Sequence, residues 1–185
     1  NIKIYNPSDQ MLSCDFNLDD LHIFCSLVYA KNRYQDHRPL WHDLLAMASA
    51  IHVPWVVIGD FNAILSPSEK IGPMHSHIAS KDFKAALDDC NLIEVNLTGA
   101  KYTWYHHHYN RTVASKLDRA FVNTPALDAW DSISSITLPK LNSDHHPIIL
   151  SLISKRPKSN IPFKFNNAWS TDPDCSTHQK NVGIP

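Results

Sequence analysis

The stretch WVVIGDFNAILSPSEKIG, residues 55–72, decides how this chain is read. A short, wholly apolar run at residues 55–58, with Pro54 before it, is the pattern of a strand buried on both faces. Gly59-Asp60-Phe61-Asn62 follows at its carboxyl end, which is where α/β sheets place their ligands. If the strand geometry continues, Phe61 points into the core and Asp60 and Asn62 project together to the other side. An acid and an amide on one face can position a water and hydrogen-bond a phosphoryl oxygen. Gly, Asp and Asn are also turn formers, so a plain turn is the competing reading.

A second stretch, SDHHPIIL at residues 143–150, mirrors the first: polar groups lead into an apolar run. Asp144 can bind a hard cation through oxygen, and His145 can donate to a phosphate oxygen or protonate a leaving group. The competing reading is a polar lead-in with Pro147 at the first residue of a strand. Between these stretches, Asp118 and Arg119 interrupt the otherwise apolar strand pattern SKLDRAFV. Asp118 can accept a hydrogen bond from a histidine ring and so fix its tautomer. Arg119 can contact phosphate, but an ion pair with a carboxylate is the favoured reading. The run His106-His107-His108 resembles a metal tract, yet adjacent strand residues point to opposite faces, so a solvated hairpin tip is expected. His75 and His77 receive the same reading, in a loop.

Around these stretches the pattern is that of an α/β layered protein with mixed sheets. Strands are expected at Ile2 and Ile4 (half-buried), at 21–30, and in LIEVN, KYTWY, SKLDRAFV, SISSITL and PIILSLI. Leu40, Trp41, Leu44, Leu45, Ala48 and Ile51 recur at helical spacing over 38–51. Residues 66–77 read as a loop, followed by a helix capped by Ser80 with Phe83, Ala86, Leu87 and Cys90 on one face. Thr124 and Pro125 read as N-cap and N1 of a short helical turn. With 185 residues the chain suits one sizeable core. A formal net charge of -1 rules out a global basic field, so a nucleic-acid role needs a local basic surface or a bound cation. The four cysteines form no CxxC pair and read as reduced intracellular thiols. No apolar run reaches membrane-spanning length.

The order of four motifs resembles the endonuclease/exonuclease/phosphatase superfamily, which includes DNase I. They are Tyr29-Ala30-Lys31-Asn32, Gly59-Asp60-Phe61-Asn62, Lys116-Leu117-Asp118-Arg119 and Ser143-Asp144-His145. Within it, LIEVNLTGAKYTW (92–104) and SKLDRAFVN (115–123) look like the endonuclease domains of plant non-LTR retrotransposons. PFKFNNAWSTDP (162–173) resembles their link to a reverse transcriptase. The resemblance implies a four-layer α/β/β/α sandwich of two mixed sheets and hydrolysis of DNA phosphodiesters with Mg²⁺ or Mn²⁺. It implies that Asp60 orients or deprotonates the attacking water and that Asn62, Tyr29 and Asn32 contact the phosphate. It places Asp144 and Asp60 at the metal, His145 on the phosphoryl group, and Asp118 behind the His145 ring.

The family's first segment supplies an Asn and a metal-binding Glu, and neither has a counterpart here. The expectation is therefore an N-terminally incomplete domain over 1–153, weakly active or inactive alone, with an exposed sheet edge. A link towards a reverse-transcriptase module follows over 154–185. Nuclear, intracellular work on chromosomal DNA follows only from the resemblance, because KRPK (155–158) is too short to serve as a reliable import signal. Two alternatives stay open: a non-catalytic remnant or binding module, and a phosphatase acting on a small phosphoester.

Overall fold

The structure is a computed structural model, and it describes residues 2–5, 8–18, 21–73, 76–108 and 111–154. His75 and the 154–185 link, apart from Ser154, lie outside the described residues. Among the described residues, strands and α-helices run in the order β1 (Ile2–Tyr5), β2 (Met11–Leu18), β3 (Leu21–Tyr29), α1 (Arg38–Ala50), β4 (Trp55–Asp60), β5 (Lys70–Ile71), α2 (His77–Asp89), β6 (Ile93–Glu94), β7 (Leu97–Thr98), β8 (Trp104–His108), β9 (Arg111–Ser115), β10 (Asp118–Val122), α3 (Thr124–Ala129), β11 (Trp130–Thr137) and β12 (Ile148–Ser154).

Six strands form the main sheet in the order β1-β2-β3-β4-β10-β6. Only the β3–β4 pairing in it is parallel, with α1 as the crossover, so the sheet is mixed. A second mixed sheet has the order β12-β11-β7, with β11 and β7 parallel. A small antiparallel sheet, β5-β9-β8, stands beside them. Trp55 and Val57 of β4 face one core with Leu40 and Leu44 of α1, Phe83 and Leu87 of α2, and Phe61 and Phe121. Val56 of β4 faces the other, with Ala120, Val122 and Trp130, against Leu150 and Leu152 of the second sheet. Helices, main sheet and second sheet are thus stacked as the α/β sandwich requires. Each fully buried aromatic, such as Phe61, Phe83 or Phe121, contributes about 1.5–3 kcal/mol by leaving water.

Gly59 shows how closely the central strands approach. Its φ is +148°, and a Cβ there would sit 1.9 Å from the Val28 carbonyl oxygen of β3. Only glycine allows the strand to reach Asp60 in this geometry.

Several local expectations are corrected. Ile2 and Ile4 are 72% and 62% exposed, not half-buried. They continue the main-sheet face that meets the second sheet, but the three strands of that sheet do not extend over β1 and β2. Leu12, Leu18 and Leu27 are left largely exposed for the same reason. Leu45, placed on the core stripe of α1, is exposed as well. The 66–77 loop contains a 3-10 turn, Pro67–Glu69, and the strand β5. Helix α2 begins earlier than expected, because Ser76 and not Ser80 caps it by accepting from the Ala79 N–H. Asn123, not Thr124, caps α3 by accepting from the Ala126 N–H, which moves Thr124 and Pro125 into the first turn. SKLDRAFV splits between β9 and β10. The His106–His107 pair lies on the arm of the β8–β9 hairpin, exposed and paired with β9. Strand β2 is not among the strands expected above, although Leu12, Cys14, Phe16 and Leu18 alternate with Ser13, Asp15 and Asn17, with Phe16 packed on the core that faces the second sheet.

Candidate active site

The site forms where the carboxyl end of β4 meets the start of β10. In the antiparallel register Asp60 lies directly opposite Asp118. Alternation sends both side chains to the face turned towards the second sheet, while Phe61 enters the helix-side core. Asn62 follows with φ +47°, a left-handed conformation that asparagine tolerates. Its backbone N–H donates to Asp60 Oδ1 at 2.9 Å, and its Nδ2 donates to the Ala30 carbonyl at 2.8 Å and to Asp60 Oδ2 at 3.2 Å. Asp60 and Asn62 are therefore locked together and held against the end of β3.

His145 arrives from the segment before β12. Backbone pairing fastens that segment to the start of β8: Tyr105 N–H donates to the Asp144 carbonyl, and His146 N–H donates to the Thr103 carbonyl. The ring then meets two acids. His145 Nδ1 donates to Asp118 Oδ2 at 2.9 Å, and Nε2 stands 3.9 Å from Asp60 Oδ2. The first distance is a hydrogen bond and the second is too long for one. Asp60, Asp118 and His145 each present a ligand atom within 4.8 Å of the others.

A cavity of about 790 Å³ opens over this cluster. Tyr29, Asn32, Asp60, Asn62, Asp118, Asp144 and His145, the whole set of candidate residues, line it. Tyr29 is largely exposed on its wall. Asp144 also lines the cavity but stands outside the tight cluster, its Oδ2 accepting from Trp104 Nε1 at 2.8 Å.

Sequence reasoning missed the residues that position this set. Thr103 is fully buried, and its Oγ1 accepts from the N–H groups of both Leu117 and Asp118. It thereby sets the start of β10 while its carbonyl holds the histidine segment. Trp104 and Thr103 lie inside the quoted KYTWY, but nothing local in that run marks them as supports. Lys70, on the cavity wall, was hidden in what read as a loop.

Electrostatics separate the acids. Burial, together with the charges of Asp118 and Asp144, raises the Asp60 carboxyl above its ordinary value, although the Asn62 N–H and His145 oppose this. The Trp104 hydrogen bond holds Asp144 below its own. A carboxylate disfavoured by burial and by neighbouring acids signals a local deficit of positive charge. A divalent cation fits that deficit, with carboxylate oxygens of the type that hard cations take.

Arg119, next to Asp118, points to the opposite face of β10. It is buried, and its guanidinium pairs with Glu69 and, at 2.6 Å, with Glu94. Those are the only two glutamates in the chain. Both are thus drawn away from the cavity.

The description "Endonuclease/Exonuclease/phosphatase family" is that of a family model matching residues 5–172. The chain belongs to the endonuclease/exonuclease/phosphatase family. This is a family of divalent-metal-dependent hydrolases, and Asp60, Asp118 and His145, which line the cavity, form a group that could hold such an ion. No curated protein matches the chain by sequence. Among solved structures, the fold is similar to the endonuclease domain of TRAS1, a telomere-specific non-LTR retrotransposon, with a TM-score of 0.67 at 14% identity, covering 84% of this chain and 70% of that one. It is similar to the 3′ phosphatase NExo from Neisseria, solved with product DNA hairpin, with a TM-score of 0.60 at 17% identity, covering 82% and 70%. It also resembles the AP endonuclease LMAP from Leishmania major, with a TM-score of 0.58 at 12% identity, covering 80% and 60%. At such identities these likenesses establish the DNase I-like fold of the family member, whose mixed sheets and helices are those described above.

Proposed function

We propose that this family member hydrolyses DNA phosphodiesters with Mg²⁺ as the endonuclease portion of a plant-type non-LTR retroelement protein, working in the nucleus. The observation that carries the reading is the Asp60–His145–Asp118 cluster at the floor of one cavity. His145 Nε2 stands 3.9 Å from Asp60 Oδ2, too far for a hydrogen bond, so each can take a different group that enters the cavity they line. A water there is oriented by the Asp60 carboxylate, which accepts its proton as the water attacks phosphorus. His145 in its protonated form donates from Nε2 to the phosphoryl group while Nδ1–H stays on Asp118. Asp118 fixes the ring, Tyr29 and Asn32 contact the phosphate, and Asn62 reaches it by giving up its 3.2 Å bond to Asp60 Oδ2. Asp60 and Asp144 are the residues to hold the cation, which when bound neutralises the charge that develops on the phosphoryl oxygens.

The motif order and the likeness to a retrotransposon endonuclease domain support the retroelement context. In this reading residues 1–153 form the hydrolase domain and 154–185 lead to a reverse transcriptase. The family match, running on to residue 172, does not mark that boundary. One observation favours the second reading, a fold that has lost its catalysis. Both glutamates are committed to Arg119, which leaves the cavity only aspartates as carboxylate ligands among the described residues.

Supercoiled plasmid incubated with the chain, with and without Mg²⁺, tests the proposal. Metal-dependent nicking is expected, lowered about 10²–10⁴-fold in His145→Ala and in Asp60→Ala. Folded protein that leaves the plasmid intact and also hydrolyses no small phosphoester would favour the second reading.

A further inference from the structure

A second cavity, of about 380 Å³, lies beside the first, and Lys70 lines both. Its walls are apolar at Leu65, Pro67 and Pro73, and its charged groups are Lys70, Lys81 and Lys84. No acid lines it, although the chain as a whole carries one more acid than base. Lys81 and Lys84 are three apart on α2 and so share a helix face. The lysine ion pairs among the described residues are Lys31–Asp9 and Lys116–Glu94, so the three cavity lysines are not neutralised by an acid there.

We infer that this cavity is a subsite for the DNA strand beyond the scissile bond, with phosphate taken by Lys81 and Lys84 and the nucleoside lying against Leu65, Pro67 and Pro73. Three points of chemistry lead there. Uncompensated lysines around a concave surface attract a polyanion. Apolar walls between them suit a base or sugar better than a hydrated inorganic ion. Lys70 makes the positive surface continuous with the hydrolytic cavity, as a polymer threading both would require, whereas a small phosphoester would be contained by the first. The inference rests on the hydrolase reading and deepens it by selecting a polymeric substrate.

The test separates binding from chemistry. Fluorescence anisotropy of the full chain with a labelled DNA duplex, in chelator so that no cleavage occurs, is followed from 50 to 200 mM salt. Each phosphate contact removed lowers the slope of log K against log salt by about 0.9, so Lys81→Ala/Lys84→Ala should lower it by about 1.8. Lys81→Arg/Lys84→Arg should restore the slope. Both lysines are exposed and alanine favours helices, so the fold is retained, as circular dichroism will show. In parallel, Mg²⁺-dependent hydrolysis of bis(p-nitrophenyl) phosphate should be equal in wild type and the alanine variant. An unchanged slope, or a wild type that does not bind duplex at 50 mM salt, overturns the subsite. Hydrolysis of neither DNA nor the small diester by wild type sinks the hydrolase reading instead, and the salt slope still decides the subsite.

Discussion

Asp118 and Arg119 are neighbours on β10, yet they anchor two charge clusters of opposite design. On one face, Arg119 is buried between Glu69 and Glu94, and Lys116 adds a 2.7 Å contact to Glu94. Two cations there meet two anions. Glu69 also closes its own turn by accepting from the Leu65 and Ser66 N–H groups. On the other face, Asp118 and Asp60 flank one histidine with Asp144 lining the same cavity, and the buried Asp60 is pushed above its ordinary carboxyl value. The first cluster is balanced in charge within the chain and holds the 65–70 segment in place. The second is short of positive charge and open to a cavity. A balanced buried cluster supports the fold, and an unbalanced one beside a cavity is where an external cation and a substrate can bind.

The sharpest way to break the comparison is Arg119→Ala. Removing the cation leaves two partly buried carboxylates facing each other, and a loss of about 3–5 kcal/mol is expected in urea unfolding. A loss under 1 kcal/mol would mean that the cluster is no more structural than a surface pair. Next, Asp118→Asn should leave the unfolding midpoint in place while lowering nicking by about 10–100-fold, the range for a group that orients a neighbour. An equal fall in stability would erase the distinction between the two faces.

The pH responses should run in opposite directions. Burial alone would raise Glu69, but the Arg119 guanidinium outweighs it and holds the carboxyl below its ordinary 4.5. A depressed folded value stabilises above the unfolded value, and that contribution is lost as pH falls through the folded one. Wild type should therefore lose stability below about pH 4.5 more steeply than Arg119→Met. Asp60 is the reverse. Its folded value is raised above 3.8, so its contribution is full below 3.8 and is lost as pH rises through the folded value. At neutral pH without divalent cation, Asp60→Asn should melt higher than wild type. Adding Mg²⁺ should raise the wild-type midpoint and leave the variant unmoved. A variant that melts lower, or one that responds to Mg²⁺ as wild type does, would place the cation elsewhere. The smallest effect is expected from Trp104→Phe, which removes one hydrogen bond to exposed Asp144 and should lower the urea midpoint less than any change above.

Much of the site was legible because it sits at strand ends. The apolar run before Asp60 and the one after His145 mark two strands, and alternation alone puts Phe61 in the core with Asp60 on the other face. Strand β2 was equally legible in the alternation of Leu12, Cys14, Phe16 and Leu18 with polar residues, although it is not among the strands expected above. The caps of α2 and α3 were misplaced because two cap-forming residues compete at each start, Ser76 with Ser80 one turn on and Asn123 with the adjacent Thr124. Thr103 could not have been found, since a buried hydroxyl serving two backbone N–H groups leaves no periodic trace. The lysine cavity was equally hidden, because Lys70, Lys81 and Lys84 form no basic run.

By itself the sequence determined the layered α/β class, the central buried strand and the residues with the right chemistry, because side-chain alternation and helical spacing are local properties. Only the tertiary structure decided which charges meet. Arg119 finds Glu69 across 50 positions and His145 finds Asp118 across 27. Those meetings depend on strand register and on the backbone pairing of 103–105 with 144–146. Register is set by whole faces of the sheets packing together, which no single stretch encodes.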